Sequence, residues 1–196
     1  MRILAVSDVE AKYYYDYYRP GRLDEFDLIL SCGDLRKNYL EFLATLSHCP
    51  LLYVRGNHDE RFAQDPPGGC ICVEDQIYVH GGIRILGLGG SYRYRDGANL
   101  YTERQMAARV RRLRYQLWKH KGFDILLTHA PARHINDFDS LSHRGFECFG
   151  ELLEKYAPKY FVHGHIHTNY GTKVPQWTER GPTTIVNACD HYVFDY

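Results

Sequence analysis

Short runs rich in Leu, Ile, Val and aromatic residues recur at 3–6, 28–31, 51–54, 83–88, 125–128, 160–163 and 184–186, and each stops at a turn signal. Runs of this length bounded by turn residues read as buried strands. Between them, residues 39–46, 106–118 and 146–156 place apolar side chains near a 3.6-residue period, the signature of helices packed on one face. Strands alternating with helices predict an α/β protein. Within 76–90 two strand-like runs are joined by Gly81 and Gly82, which reads as a hairpin, so the sheets should be mixed. The expectation is two stacked mixed β-sheets flanked by helices, in one domain over residues 1–196. The Pro/Gly cluster at 66–69 is too short for a linker and reads as a surface loop.

Composition narrows the class. Apolar residues make up 44% and charged residues 24%, an ordinary globular balance. Lys plus Arg and Asp plus Glu both total 24, so no overall positive field draws the protein to nucleic acid or an anionic membrane. Any such contact would have to be local, and extended nucleic-acid binding is not expected. No apolar stretch approaches the roughly 20 residues that span a bilayer, so no membrane partner is expected. The six cysteines form no Cys-x-x-Cys pair, and Met1-Arg2 leads directly into an apolar run; reduced thiols in a cytoplasm are the expectation. Cys70 and Cys72 lack a second pair for a zinc site and read as part of a loop or strand. The tyrosines of segment 13–18 could stack a base, but packing or an interface suits them better.

Candidate chemistry collects just after the apolar runs: Asp8 and Glu10, Gly33-Asp34, Gly56-Asn57-His58-Asp59, His129, and Gly164-His165-Ile166-His167. If these segments stay extended, side chains two apart point the same way, so Asp8 with Glu10 and His165 with His167 could each aim two ligands at one point. Glycines beside Asp34, Asn57 and His165 allow sharp turns and close approach to an ion or phosphate.

This ordered set resembles the calcineurin-like metallophosphoesterase family, whose pattern runs Asp-x-His, Gly-Asp, Gly-Asn-His-Asp/Glu, a lone His, and Gly-His-x-His. The match extends from Asp8 to His167. The segments 87–91 and 164–171 further resemble small bacterial members and an animal phosphodiesterase branch. The resemblance implies an α/β/β/α sandwich binding two divalent ions, Mn²⁺ favoured, with Fe²⁺, Zn²⁺, Mg²⁺ or Ni²⁺ as alternatives. It makes Asp34 the bridging carboxylate, puts Asp8 and His167 on the first ion, and puts Asn57, His129 and His165 on the second. A hydroxide bridging the ions would attack phosphorus, with His58 protonating the leaving group and Asp59 either orienting that ring or serving as a turn or helix cap. Glu10 stands where the family has histidine; as a harder oxygen donor it would move the first site's preference away from Zn²⁺, or it would only accept a hydrogen bond from a water on the ion.

Arg36, Arg61, Arg93 and His143 are the substrate-side candidates, the arginines as phosphate forks and His143 at the opening of a predicted helix where free amides could bind an anion. For each, a solvated surface role is the competing reading. The function implied is hydrolysis of a small phosphodiester, nucleotide-like or otherwise. The alternatives are a phosphomonoesterase, a short-oligonucleotide nuclease, and a non-catalytic metal-binding or protein-interaction scaffold. Homo-oligomerisation is left open.

Overall fold

In the computed structural model of the protein, which describes residues 1–167 and 174–196, the alternation along the inner strands is used on both faces. Strand β1 (Arg2–Ser7) turns Ile3 and Ala5 to one side and Leu4 and Val6 to the other, and all four are fully buried. The chain continues through β2 (Leu28–Ser31), α1 (Lys37–Leu46), β3 (Leu51–Tyr53), β4 (Cys70–Cys72), β5 (Gln76–His80) and β6 (Ile83–Leu88). Next come β7 (Ser91–Tyr92), β8 (Leu100–Tyr101), α2 (Glu103–Arg112), α3 (Arg114–Lys119), β9 (Ile125–Thr128) and α4 (Glu147–Tyr156). Strands β10 (Tyr160–His163), β11 (Trp177–Arg180), β12 (Thr183–Asn187) and β13 (Asp190–Asp195) complete it.

The first large sheet has the order β13-β1-β2-β3-β4, parallel except for β13 on β1. The second runs β11-β12-β10-β9-β6-β5, with antiparallel pairs at its two ends and parallel pairing inside. Ile3, Leu30 and Leu52 of the first sheet meet Ile85, Leu127 and Val162 of the second in the central layer. The opposite faces carry helices: Leu4, Ile29 and Leu51 pack on Tyr39, Leu40 and Leu43 of α1, while Leu86, Leu126 and Phe161 pack on α2, α3 and α4. This is the expected α/β/β/α arrangement. Burial of a Leu or Ile side chain is worth about 1.5–3 kcal/mol, so two-sided strands contribute heavily to a chain of this size.

The 106–118 helical pattern is divided. Thr102 and Gln105 form a reciprocal capping box that starts α2. At Leu113 the amide bonds only three residues back, to Val110. Leu113 and Leu117, one α-helical turn apart beyond it, both lie in the core. The tyrosine segment packs as expected: Tyr14 is buried, and Tyr15 and Tyr18 meet Phe42 edge-on at 4.9 and 5.4 Å. The hairpin turn falls at Gly81 and Gly82 between β5 and β6, and Cys70 and Cys72 lie in the edge strand β4.

Candidate metal centre

Every ligand-type residue noted in the sequence follows the carboxyl end of a strand, but none of the paired motifs is extended. β1 ends at Ser7 and β10 at His163, and Asp8, Asp34 and His165 adopt left-handed backbones, with φ of 62°, 56° and 67°. The expectation that Asp8 with Glu10, and His165 with His167, align through strand alternation is therefore corrected. Tight turns aim these side chains, and left-handed non-glycine residues of this sort concentrate where a site over-determines its geometry. The loops also touch. A Cβ on Gly33 would lie 2.2 Å from the Gly56 nitrogen, and one on Gly56 would lie 2.0 Å from Asp34 Oδ1. Glycine at both positions lets the second and third loops close on each other.

At the centre is His129, fully buried. Its Nδ1 is 2.7 Å from the Cys32 carbonyl, which can only accept, so Nδ1 carries the proton and Nε2 faces the site. His165 is fixed in the opposite sense: its Nε2 donates to the Ser142 carbonyl at 2.5 Å, leaving the Nδ1 lone pair 3.1 Å from His129 Nε2. Asn57 Oδ1 lies 2.9 Å and Asp34 Oδ2 3.4 Å from the same nitrogen. Lone pairs of two imidazoles, an amide oxygen and a carboxylate thus converge, an arrangement that is repulsive unless a proton or a cation sits among them. Ligand atoms of Asp34, His129 and His165 all fall within 4.8 Å of one another, so the donor set fits a divalent cation.

The electrostatics agree. Burial opposes charge on His129, yet the carboxylates of Asp34 and Asp8 push its pKa up to about 9. Burial likewise opposes the Asp34 charge, but His129 and His58 hold it down to about 2. His165 falls to about 3 through burial and the neighbouring His129 charge. The field that draws a proton to His129 is the field that would hold a metal ion.

A second group lies alongside. Asp8 Oδ2 accepts the His165 amide at 2.8 Å, while Oδ1 faces His167 Nε2 at 3.9 Å. Glu10 does not line the cavity that Asp8 and His167 share. Its carboxylate is gripped at both oxygens by the Arg36 guanidinium, so a predicted ligand and a predicted phosphate fork occupy each other.

The backbone amide of His58 donates to Asp34 Oδ1 at 2.8 Å, and its side chain is exposed. It lines two adjoining cavities, one of about 320 Å³ with Asp8, Asn57, His165 and His167, the other of about 480 Å³ with Arg36 and Arg61. Asp59 is buried, and its Oδ2 accepts the amides of Asp34 and Gly56. It precedes a short 3₁₀ turn without a side-chain cap bond, so it clamps two loops; burial and Asp34 raise its pKa to about 6.

Of the remaining candidates, Arg93 pairs with Asp96 at 2.9 Å and does not line either cavity. His143 lines the smaller cavity, its ring 5.5 Å from that of His165. The helix predicted to open there begins only at Glu147, and the amides of Glu147 and Cys148 are taken by the Glu103 carboxylate, which corrects the anion-site expectation. Of the segment 164–171, residues 168–171 lie outside the described residues. Sequence reasoning missed Ser142 and Cys32, which act through main-chain carbonyls that any residue type supplies, and Tyr94, which lines the smaller cavity without a motif to mark it.

A family model described as calcineurin-like phosphoesterase matches residues 1–169. Among curated proteins, the chain is 25% identical over 193 residues to UPF0046 protein C25E10.12 of Caenorhabditis elegans, covering 82% of this chain and 64% of that one. It is 29% identical over 130 residues to UPF0046 protein T07D4.2 of the same organism, covering 65% of this chain and 30% of that one. The chain thus spans less than two thirds of either relative. Among solved structures, TT1561 of Thermus thermophilus superposes with a TM-score of 0.62 at 17% identity, covering 96% of this chain and 89% of that one, a likeness of fold.

Proposed function

This chain belongs to the calcineurin-like phosphoesterase family, and on that premise we propose that it hydrolyses small phosphodiesters using two divalent cations, Mn²⁺ foremost. The observation that carries this is the convergence of the Asp34, Asn57, His129 and His165 donor atoms on one point beside Asp8 and His167. In this reading Asn57, His129 and His165 would hold one ion, Asp8 and His167 would hold the other, Asp34 would serve both, and Glu10 would be available only if Arg36 released it. Two such ions, when bound, lower the pKa of a water nucleophile and neutralise phosphoryl oxygens.

The chain's own residues supply the rest. His129 and His165 are locked in one tautomer each by the Cys32 and Ser142 carbonyls, so their free nitrogens are presented without reorganisation. Asp59 holds Asp34 in place through the main chain. His58 stands where the two cavities meet, placed to protonate a leaving oxygen in one while the phosphoryl group is held in the other. Room on both sides of His58 supports a diester, which carries a group on each ester oxygen. Six cysteines without a Cys-x-x-Cys pair support a reducing, cytoplasmic setting.

The test is hydrolysis of bis(p-nitrophenyl) phosphate by protein stripped with a chelator and reloaded with Mn²⁺, Fe²⁺, Zn²⁺, Mg²⁺ or Ni²⁺ in turn. Activity should vanish on stripping and return with Mn²⁺. Undiminished turnover by protein shown to be metal-free by elemental analysis would refute the reading.

A further inference from the structure

An even charge balance over the whole chain conceals where the charges sit. Between α3 and the last turn of α4 runs a groove of about 810 Å³, with Arg114, Lys119 and Lys121 on one wall, Lys155 on the other, and Leu117 and Tyr156 between them. A smaller hollow extends it to Arg111, and there Glu151 is the one acid among the described lining residues. None of these five cations joins an ion pair among the described residues. Beside the groove, Trp118 is 76% and Tyr115 68% exposed, their rings 6.0 Å apart. The groove is remote from the metal centre. Lys121 precedes β9 and Lys155 precedes β10, while His129 and His165 follow those strands at the other end of the sheet.

We propose that this groove binds a single-stranded nucleic acid. Cations on both walls match a chain with a phosphate at every residue, and the paired open rings offer platforms on which bases stack irrespective of sequence. A flat bilayer surface matches a row of cations lining a groove less well than a thin strand does, and the competition below separates the two. An acidic peptide would satisfy the cations but leave Trp118 and Tyr115 without a stacking partner. The site does not rest on the metal chemistry, so either can fail without the other.

The experiment is fluorescence anisotropy of a labelled, phosphorothioate-linked strand of about twelve nucleotides, within the usual site size, titrated with the full-length protein across a salt series. Affinity should fall linearly with salt on a logarithmic plot, and the double variant Lys119→Glu/Lys121→Glu should flatten that slope and bind roughly tenfold or more weakly. Trp118→Ala should bind about 5- to 150-fold more weakly with little change in slope, and Trp118→Phe should recover most of the loss. Hydrolysis of a small aryl diester should be unchanged in all three. No binding at low salt would overturn the proposal, as would affinity indifferent to both sets of variants or lost instead in His58→Ala. Stronger competition from phosphatidylserine vesicles or polyglutamate than from unlabelled strand would also overturn it, assigning the groove to a membrane or an acidic protein.

Discussion

Oδ2 of Asp59 accepts the amide of Asp34 at 2.7 Å and that of Gly56 at 2.8 Å, so one buried oxygen fixes the two loops that carry Asp34 and Asn57. Removing it leaves two buried donors unsatisfied, at about 1–3 kcal/mol each. Asp59→Ala should therefore lower the melting temperature and weaken Mn²⁺ binding although no ligand is lost, while Asp59→Asn, which keeps an acceptor oxygen, should be milder in both. Calorimetric titration with Mn²⁺ and thermal melts check this; wild-type metal affinity in Asp59→Ala would show that the clamp does not position the site.

The hydrogen bond that His58 makes to Asp34 comes from its backbone amide, so loss of the ring should leave metal binding in place. His58→Ala should keep its metal content and lose roughly 10²- to 10⁴-fold in rate on esters with poor leaving groups. The loss should shrink for nitrophenolate, which needs little protonation. Equal losses on both substrate types would argue against proton donation by this ring.

The grip of Arg36 on Glu10 turns one open question into an ordered series. If Glu10 ligates when released, Arg36→Gln should tighten Mn²⁺ binding by removing the competitor, Glu10→Gln should loosen it, and the double variant should behave as Glu10→Gln alone. Metal stoichiometry and affinity measured on all three decide the matter. Identical affinities throughout would leave Glu10 as a partner of Arg36 and nothing more.

Arg84 donates to both oxygens of Asp124, at 2.8 and 2.5 Å, joining the starts of β6 and β9. The guanidinium holds the Asp124 carboxyl below its ordinary range. Its folded-state pKa being depressed, the contribution to stability is present at neutral pH and is lost as pH falls below the usual carboxylate range. The melting-temperature gap between wild type and Asp124→Asn should thus be largest near pH 7 and narrow progressively as pH falls below the ordinary value of 3.8. A gap independent of pH would mean that the charge is not what stabilises the junction.

The sequence alone determined the strands at 28–31, 83–88, 125–128 and 160–163, because buried strands are mostly apolar runs and turn residues bound them sharply. Edge strands β11 and β13 escaped it, since solvated and half-solvated positions such as Glu179 and His191 carry no such pattern. The candidate centre was legible as a list of residue types, for the chemistry of Asp, Asn and His is written in their identity. Its geometry was not. The left-handed turns at Asp8, Asp34 and His165, the capture of Glu10 by Arg36, and the main-chain carbonyls of Cys32 and Ser142 all depend on contacts between segments far apart in the chain. The groove follows the same rule: an equal count of acids and bases fixes the net charge, but only the placing of α3 and α4 side by side decides that five cations line one cleft with few acids to answer them.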